Sequence, residues 1–191
     1  MDNTNTLNIS RVLSIPNAKC LFAHEIINDG CLDFVIDVAL EALSMGVDHD
    51  NISVLAGQSK GHVNYFELRG MVRRFIECLQ IVPVSGSDAL GLYVLCKLEL
   101  YIDGKITKNE CIQFLAEIGK DPDWRRFHLL DEIIVCNDLR WSEDSAEVIA
   151  GWRTFEKEVV RLKDALSISI NVSEGGGMYK LAVNGVSTEW C

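Results

Sequence analysis

Apolar residues recur every three or four positions along most of this chain, the spacing of α-helices that bury one face. From Leu32 to Met45 the set Leu32, Val35, Ile36, Ala39, Ala42 and Leu43 falls on one side, Phe34, Val38 and Met45 widen it, and Gly46 stands where a C-cap belongs. Only Asp33, Asp37 and Glu41, spaced four apart, remain as a polar stripe, so this helix is expected to be largely buried with one acidic edge. A short helix is predicted over Asp50 to Ala56, then a loop at "GQSKGH", then a helix capped by Asn64 and running to about Leu79. Phe66, Val72, Phe75, Ile76 and Leu79 would form the core side of that helix. The run from Ala89 to Tyr101 is apolar nearly all round and reads as a central, enclosed helix. Further helices are predicted over 107–118, over 122–136 with Pro122 at the start, and over 143–166, where Ile149, Trp152, Phe155, Val159, Leu162 and Leu166 make one stripe.

The two ends break this period. In residues 1–30, "LNISRVLSI" alternates in the manner of a short strand, Pro16 interrupts it, and "CLFAHEII" suits a strand or a helix. Residues 167–191 alternate around a Gly-rich turn and a later Asn-Gly pair, which predicts a β-hairpin. A lone hairpin is marginal in water, so it needs a third strand, which the N-terminal segment could supply, or a seat on the helices. No repeat of fixed period occurs. The expected fold is mainly α (α+β): a single domain over 1–191, with a bundle of about six helices in 31–166 and a small C-terminal hairpin or sheet.

Composition narrows the function classes. The 191 residues can enclose one substantial core, and 48% hydrophobic with 24% charged residues is ordinary for a folded domain. No run is apolar enough to span a membrane and the first residues do not resemble a secretory signal, so the expected compartment is the cytoplasm. The 7 cysteines, at 20, 31, 78, 96, 111, 136 and 191, are odd in number, never closer than eleven residues, and read as reduced thiols. A formal charge of −10, from 28 acids against 18 bases, repels nucleic acid and steers basic proteins inward.

Several segments carry residue types that chemistry could use. In "ELYIDGKITKNE" the residues Asp103, Gly104, Ile106 and Glu110 match positions 5, 6, 8 and 12 of a calcium loop, but Glu99 and Tyr101 occupy positions 1 and 3. The expectation is instead a turn at Gly104 and a capping box from Thr107 to Glu110. His128, Asp131 and Glu132 share one helix side, as an acid–base or metal site would require, and Cys20 and His24 are also four apart. Without a second ligand motif both are read as ordinary helix faces. "AGQSKGH" and "SEGGGMY" lack phosphate-loop spacing, and the pairs Arg73/Arg74 and Arg125/Arg126 are read as surface charge. No cofactor, metal or catalytic group is expected. The densest charge lies at 131–147, where Asp131, Glu132, Asp138, Glu143, Asp144 and Glu147 stand against the single base Arg140. With Trp141 as an apolar anchor inside that rim, this is the first candidate partner-binding face, and the stripe Asp33, Asp37, Glu41 is the second.

The segment "ALEALSMGVDHDNISVLAGQSKGHVNYFELRGMVRRFIECL" followed by "LELYIDGKITKNECIQFLAEIG" resembles small helical bacterial immunity proteins, which accompany polymorphic or contact-dependent growth-inhibition toxins. The likeness covers roughly residues 35 to 135 and is one of pattern. It implies a cytoplasmic protein that binds and neutralises one cognate toxin, often a nuclease, and it carries over no binding residue; the acidic charge suits a basic toxin, and no enzyme activity is expected. The alternatives are an enzyme using His128, Asp131 and Glu132, with or without a divalent metal, and a structural subunit that oligomerises through its apolar helices.

Overall fold

In the computed structural model the described residues are 3–23, 33–84, 86–118, 155–157, 159–173 and 177–184. They are mainly helical with a small antiparallel hairpin near the C-terminus. The chain divides into two compact units, one of Met1–Cys96 with Ile168–Ala182, the other of Lys97–Ser167 with Val183–Cys191. Among the described residues no helix is long and apolar enough to cross a membrane.

The first unit begins with α1 (Asn3–Leu13), which corrects the strand expected over "LNISRVLSI", and α2 (Ala18–Phe22), which takes the helical of the two readings open for "CLFAHEII". Alternation would place Leu7 inward with Ile9 and Leu13. The helix instead buries Ile9, Val12 and Leu13 at i, i+3 and i+4 and leaves Leu7 half exposed. All five residues of α2 are buried, Lys19 included. Its Nζ donates to the carbonyl of Leu13 at 3.0 Å, so a buried cation meets one of the carbonyls that the end of α1 leaves without a helical partner.

Next come α3 (Phe34–Ser44), α4 (Asp50–Ala56) and α5 (Tyr65–Cys78), with α3 packed on α4 and α4 on α5. The end of α3 is a Schellman turn: Gly46, at φ 78°, donates to Leu43 O at 2.9 Å and Val47 donates to Ala42 O at 3.0 Å. The end of α5 repeats this geometry without glycine. Gln80 takes φ 56°, donates to Glu77 O at 2.8 Å, and Ile81 donates to Ile76 O at 3.3 Å.

Gln80 also joins the hairpin to the helices. Strands β1 (Ser167–Val172) and β2 (Tyr179–Asn184) pair with each other, and Ile81 adds a parallel bridge to Tyr179. Tyr179 N donates to Gln80 O at 2.7 Å and Val82 N donates to Tyr179 O at 2.8 Å. The third chain segment that the hairpin needs is therefore the exit of α5, not the N-terminus. Ile81 and Leu181 are fully buried there, and the Asn5 amide donates to the Gln80 side chain at 2.7 Å.

Helix α6 (Gly86–Ile102) matches the expected central helix: every residue from Ala89 to Leu98 is buried. Its last turns belong to the second unit, together with α7 (Lys108–Ile118) and the helical residues 155–157 and 159–165. There Tyr101 meets the buried Phe155 edge to face at 5.6 Å, and Lys108 Nζ lies 5.2 Å from the Phe155 ring centre and 3.6 Å from Glu156 Oε1. Lys97, 8% exposed, places Nζ 3.9 Å from the centre of the Phe114 ring. Phe155, Val159, Leu162 and Leu166 are buried as their stripe predicted.

Candidate functional site

The loop that resembles half a calcium site is built as a helix junction. Gly104, at φ 68°, donates to Tyr101 O at 3.0 Å while Lys105 N donates to Leu100 O at 2.8 Å, closing α6 with a Schellman turn. Three residues on, Thr107 N and Thr107 Oγ1 both donate to Glu110 Oε2, at 2.7 and 2.8 Å, and Glu110 N donates to Thr107 Oγ1 at 3.2 Å. This is a complete capping box. The Glu110 carboxyl sits below the usual carboxylate range, held there first by the Thr107 amide and then by its hydroxyl. The carboxylate oxygen that bidentate calcium ligation would need is thus spent on the entry to α7. Among the described residues no group of three or more His, Cys, Asp and Glu is arranged to hold a metal ion.

The acidic stripe of α3 is on the surface. Asp37 and Glu41 are exposed, Asp33 is half-buried just ahead of the helix, and Leu40, 52% exposed, stands among them. Lys60, from the loop after α4, reaches Asp37 Oδ2 at 2.6 Å. Both side chains of that pair are more than half exposed, so it adds little stability, but it offsets one of the stripe's charges. "AGQSKGH" accordingly serves as a loop whose lysine answers an acid, and Arg73 and Arg74 are exposed on α5.

The first candidate face, Asp131, Glu132, Asp138, Trp141, Glu143, Asp144 and Glu147, lies outside the described residues, as do His128, His24, Arg125 and Arg126. Cys20, the other member of the Cys20/His24 pair, is buried. Cys96 and Cys111 are also free and buried, and Cys78 is free and half-buried. Burial pushes the Cys78 thiol up to about 11 and the Cys111 thiol up to about 12, the latter against a smaller opposing pull from Lys97. At neutral pH these two are thiols, not thiolates, and are poor nucleophiles.

One residue departs from its expected place. Phe66, assigned by pattern to the core of α5, is 82% exposed and meets only the edge of Tyr65 among ring partners, at 5.8 Å. The buried set is Leu68, Val72, Phe75, Ile76 and Leu79, and Leu68 fits that register whereas Phe66 falls on the opposite side. Strict counting from Leu79 backwards would have found it. Phe66 on α5 and Leu40 on α3 are each exposed apolar side chains.

No known protein family, no curated protein and no solved structure matches this chain.

Proposed function

We propose that the chain is an immunity-type protein that binds a cognate basic toxin in the cytoplasm and neutralises it by covering part of its surface. The observation that carries this reading is the segregation of charge. Between Lys19 and Lys60 the chain has seven carboxylates and no lysine or arginine, within a total of −10. On α3, Asp37, Glu41 and the exposed Leu40 turn that excess outward. An acidic rim around an apolar contact suits a cationic partner: the field speeds encounter and the apolar centre supplies contact once water is displaced. Asp138, Trp141, Glu143 and Glu147, with Asp131, Glu132 and Asp144, make the same combination in sequence and form the first-choice face.

The test is co-expression with the product of the adjacent reading frame. Rescue of growth is expected. Charge reversal at Asp138, Glu143 and Glu147 should weaken it, and reversal at Asp37 and Glu41 tests the α3 face. Association of the purified pair should slow steeply with added salt. An adjacent product that is harmless, or rescue unaffected by reversal at both faces, refutes the proposal.

A further inference from the structure

The solvent side of α5 is not an ordinary polar helix face. The helix buries Leu68, Val72, Phe75 and Ile76, and at 3.6 residues per turn the middle of the opposite side is Gly70. A Cβ built on Gly70 meets nothing within 4 Å, so the backbone there borders open space. One turn earlier Phe66 stands 82% exposed, more than any other large apolar side chain among the described residues. A bare notch beside a projecting ring is the relief that lets a second helix approach closely, because the side chains at a crossing set the distance between the two axes.

The charges around the notch decide what covers it. Glu67, Arg73, Arg74 and Glu77 are all exposed, two acids and two bases, so this face is neutral on a chain whose total is −10. Glu67 and Arg74 fall on one flank of Gly70, three residues before it and four after. Phe66 and Arg73 fall on the other flank, four before and three after. The pattern is therefore complementary to its own reverse: a strongly acidic or strongly basic partner meets as much repulsion as attraction, whereas an identical helix turned end to end meets acid with base.

We infer that α5 seats a second copy of this chain, the two α5 helices crossing antiparallel about a two-fold axis at Gly70. Glu67 of each copy then lies beside Arg74 of the other, each Phe66 ring lies along Arg73 of the other, and the two glycines meet at the crossing. One helix face is a small contact next to a standard interface, so the dimer is weak and the chain is monomeric at the low micromolar concentrations of unfolding measurements. The acidic stripe Asp33, Asp37 and Glu41 belongs to α3, so this contact draws on none of the residues proposed to meet a toxin.

The experiment is sedimentation equilibrium of the full chain from roughly 5 µM to roughly 0.5 mM, with circular dichroism to show that each variant is folded. The average mass should climb with concentration toward that of two chains. Glu67→Arg and Arg74→Glu should each weaken association roughly tenfold, since the two-fold axis repeats every like-charge contact. The double variant restores opposite charges across the axis and should return to within about threefold of the parent. Gly70→Gln, which favours the helix but fills the notch, should keep the fold and stay monomeric. A parent chain that is monomeric throughout, a dimer that neither single reversal weakens, or a double variant no better than the singles overturns the inference.

Discussion

One substitution, glycine to alanine, should act with opposite sign at two places in this chain, and the reason is backbone geometry alone. At Gly70 and at Gly104 an added Cβ would meet no atom within 4 Å, so neither change is sterically opposed. Gly70 lies inside α5 with ordinary helical geometry, and alanine there should stabilise by roughly 0.5 to 1 kcal/mol, because glycine loses more chain entropy on entering a helix. Gly104 sits at φ 68°, where an L-residue costs roughly 1 to 2 kcal/mol, offset by roughly 0.4 to 1 kcal/mol from the stiffer unfolded chain. The net expectation at Gly104 is a loss of about 1 kcal/mol. Urea unfolding followed by far-UV circular dichroism reads both. With a slope of roughly 1 to 3 kcal/mol per molar urea, the midpoints of the two variants should move apart by about 1 M, one to each side of the parent. Gly104→Asn, whose side chain tolerates the left-handed region, should recover part of the loss. Shifts of the same sign at both positions would sink the reasoning.

At the start of α7, Thr107→Ala should cost about 1 kcal/mol in the same assay, and millimolar calcium should leave the melting temperature of the parent unchanged; a calcium-dependent rise would restore the metal reading. Because its partners hold the Glu110 carboxyl below its unfolded value, its contribution is present above the ordinary glutamate range and disappears as pH falls through the lower folded value. Glu110→Gln should therefore flatten the acid limb of the stability curve, which melting scans at stepped pH will show. Phe66→Ser, at a surface position, should change stability by no more than about 0.5 kcal/mol, whereas Leu68→Ala should cost roughly 2 to 5 kcal/mol; a large effect at Phe66 would place it in the core after all. Iodoacetamide at mildly alkaline pH, followed by peptide mass spectrometry, should label Cys111 and Cys78 far more slowly in the folded chain than in denaturant, since burial raises both thiols.

The helices were legible where capping and periodicity agreed. Asp50–Ala56 is α4, Asn64 does cap α5, and the run expected from Ala89 to Tyr101 lies inside α6. Gly46 and Gly104 mark helix ends as expected, because only glycine enters the left-handed region freely. The N-terminus is ambiguous because Ile9 and Leu13 satisfy both periods, and Leu7, though half exposed, extends the strand-like alternation. The end of α5 was not readable at all. Gln80 adopts a positive φ because Ile81 and Val82 are drawn into pairing with Tyr179, a tertiary demand that no local signal announces. For the functional surface, the α3 stripe was readable as the polar remainder of an apolar helix, and the pairing of its Asp37 with Lys60 was not, since that partner comes from a loop. The face at 131–147 falls outside the described residues.

The junction of Gln80, Ile81 and Tyr179 also constrains biosynthesis. The first compact unit draws on residues up to Cys96 and then on Ile168–Ala182, so more than eighty residues must emerge before its last piece is available. At translation rates of roughly 5 to 20 residues per second, that leaves Ile81 and its neighbours waiting for several seconds without the strand that shields them. A nascent chain arrested ahead of β1 should thus recruit chaperones that the finished polypeptide no longer engages.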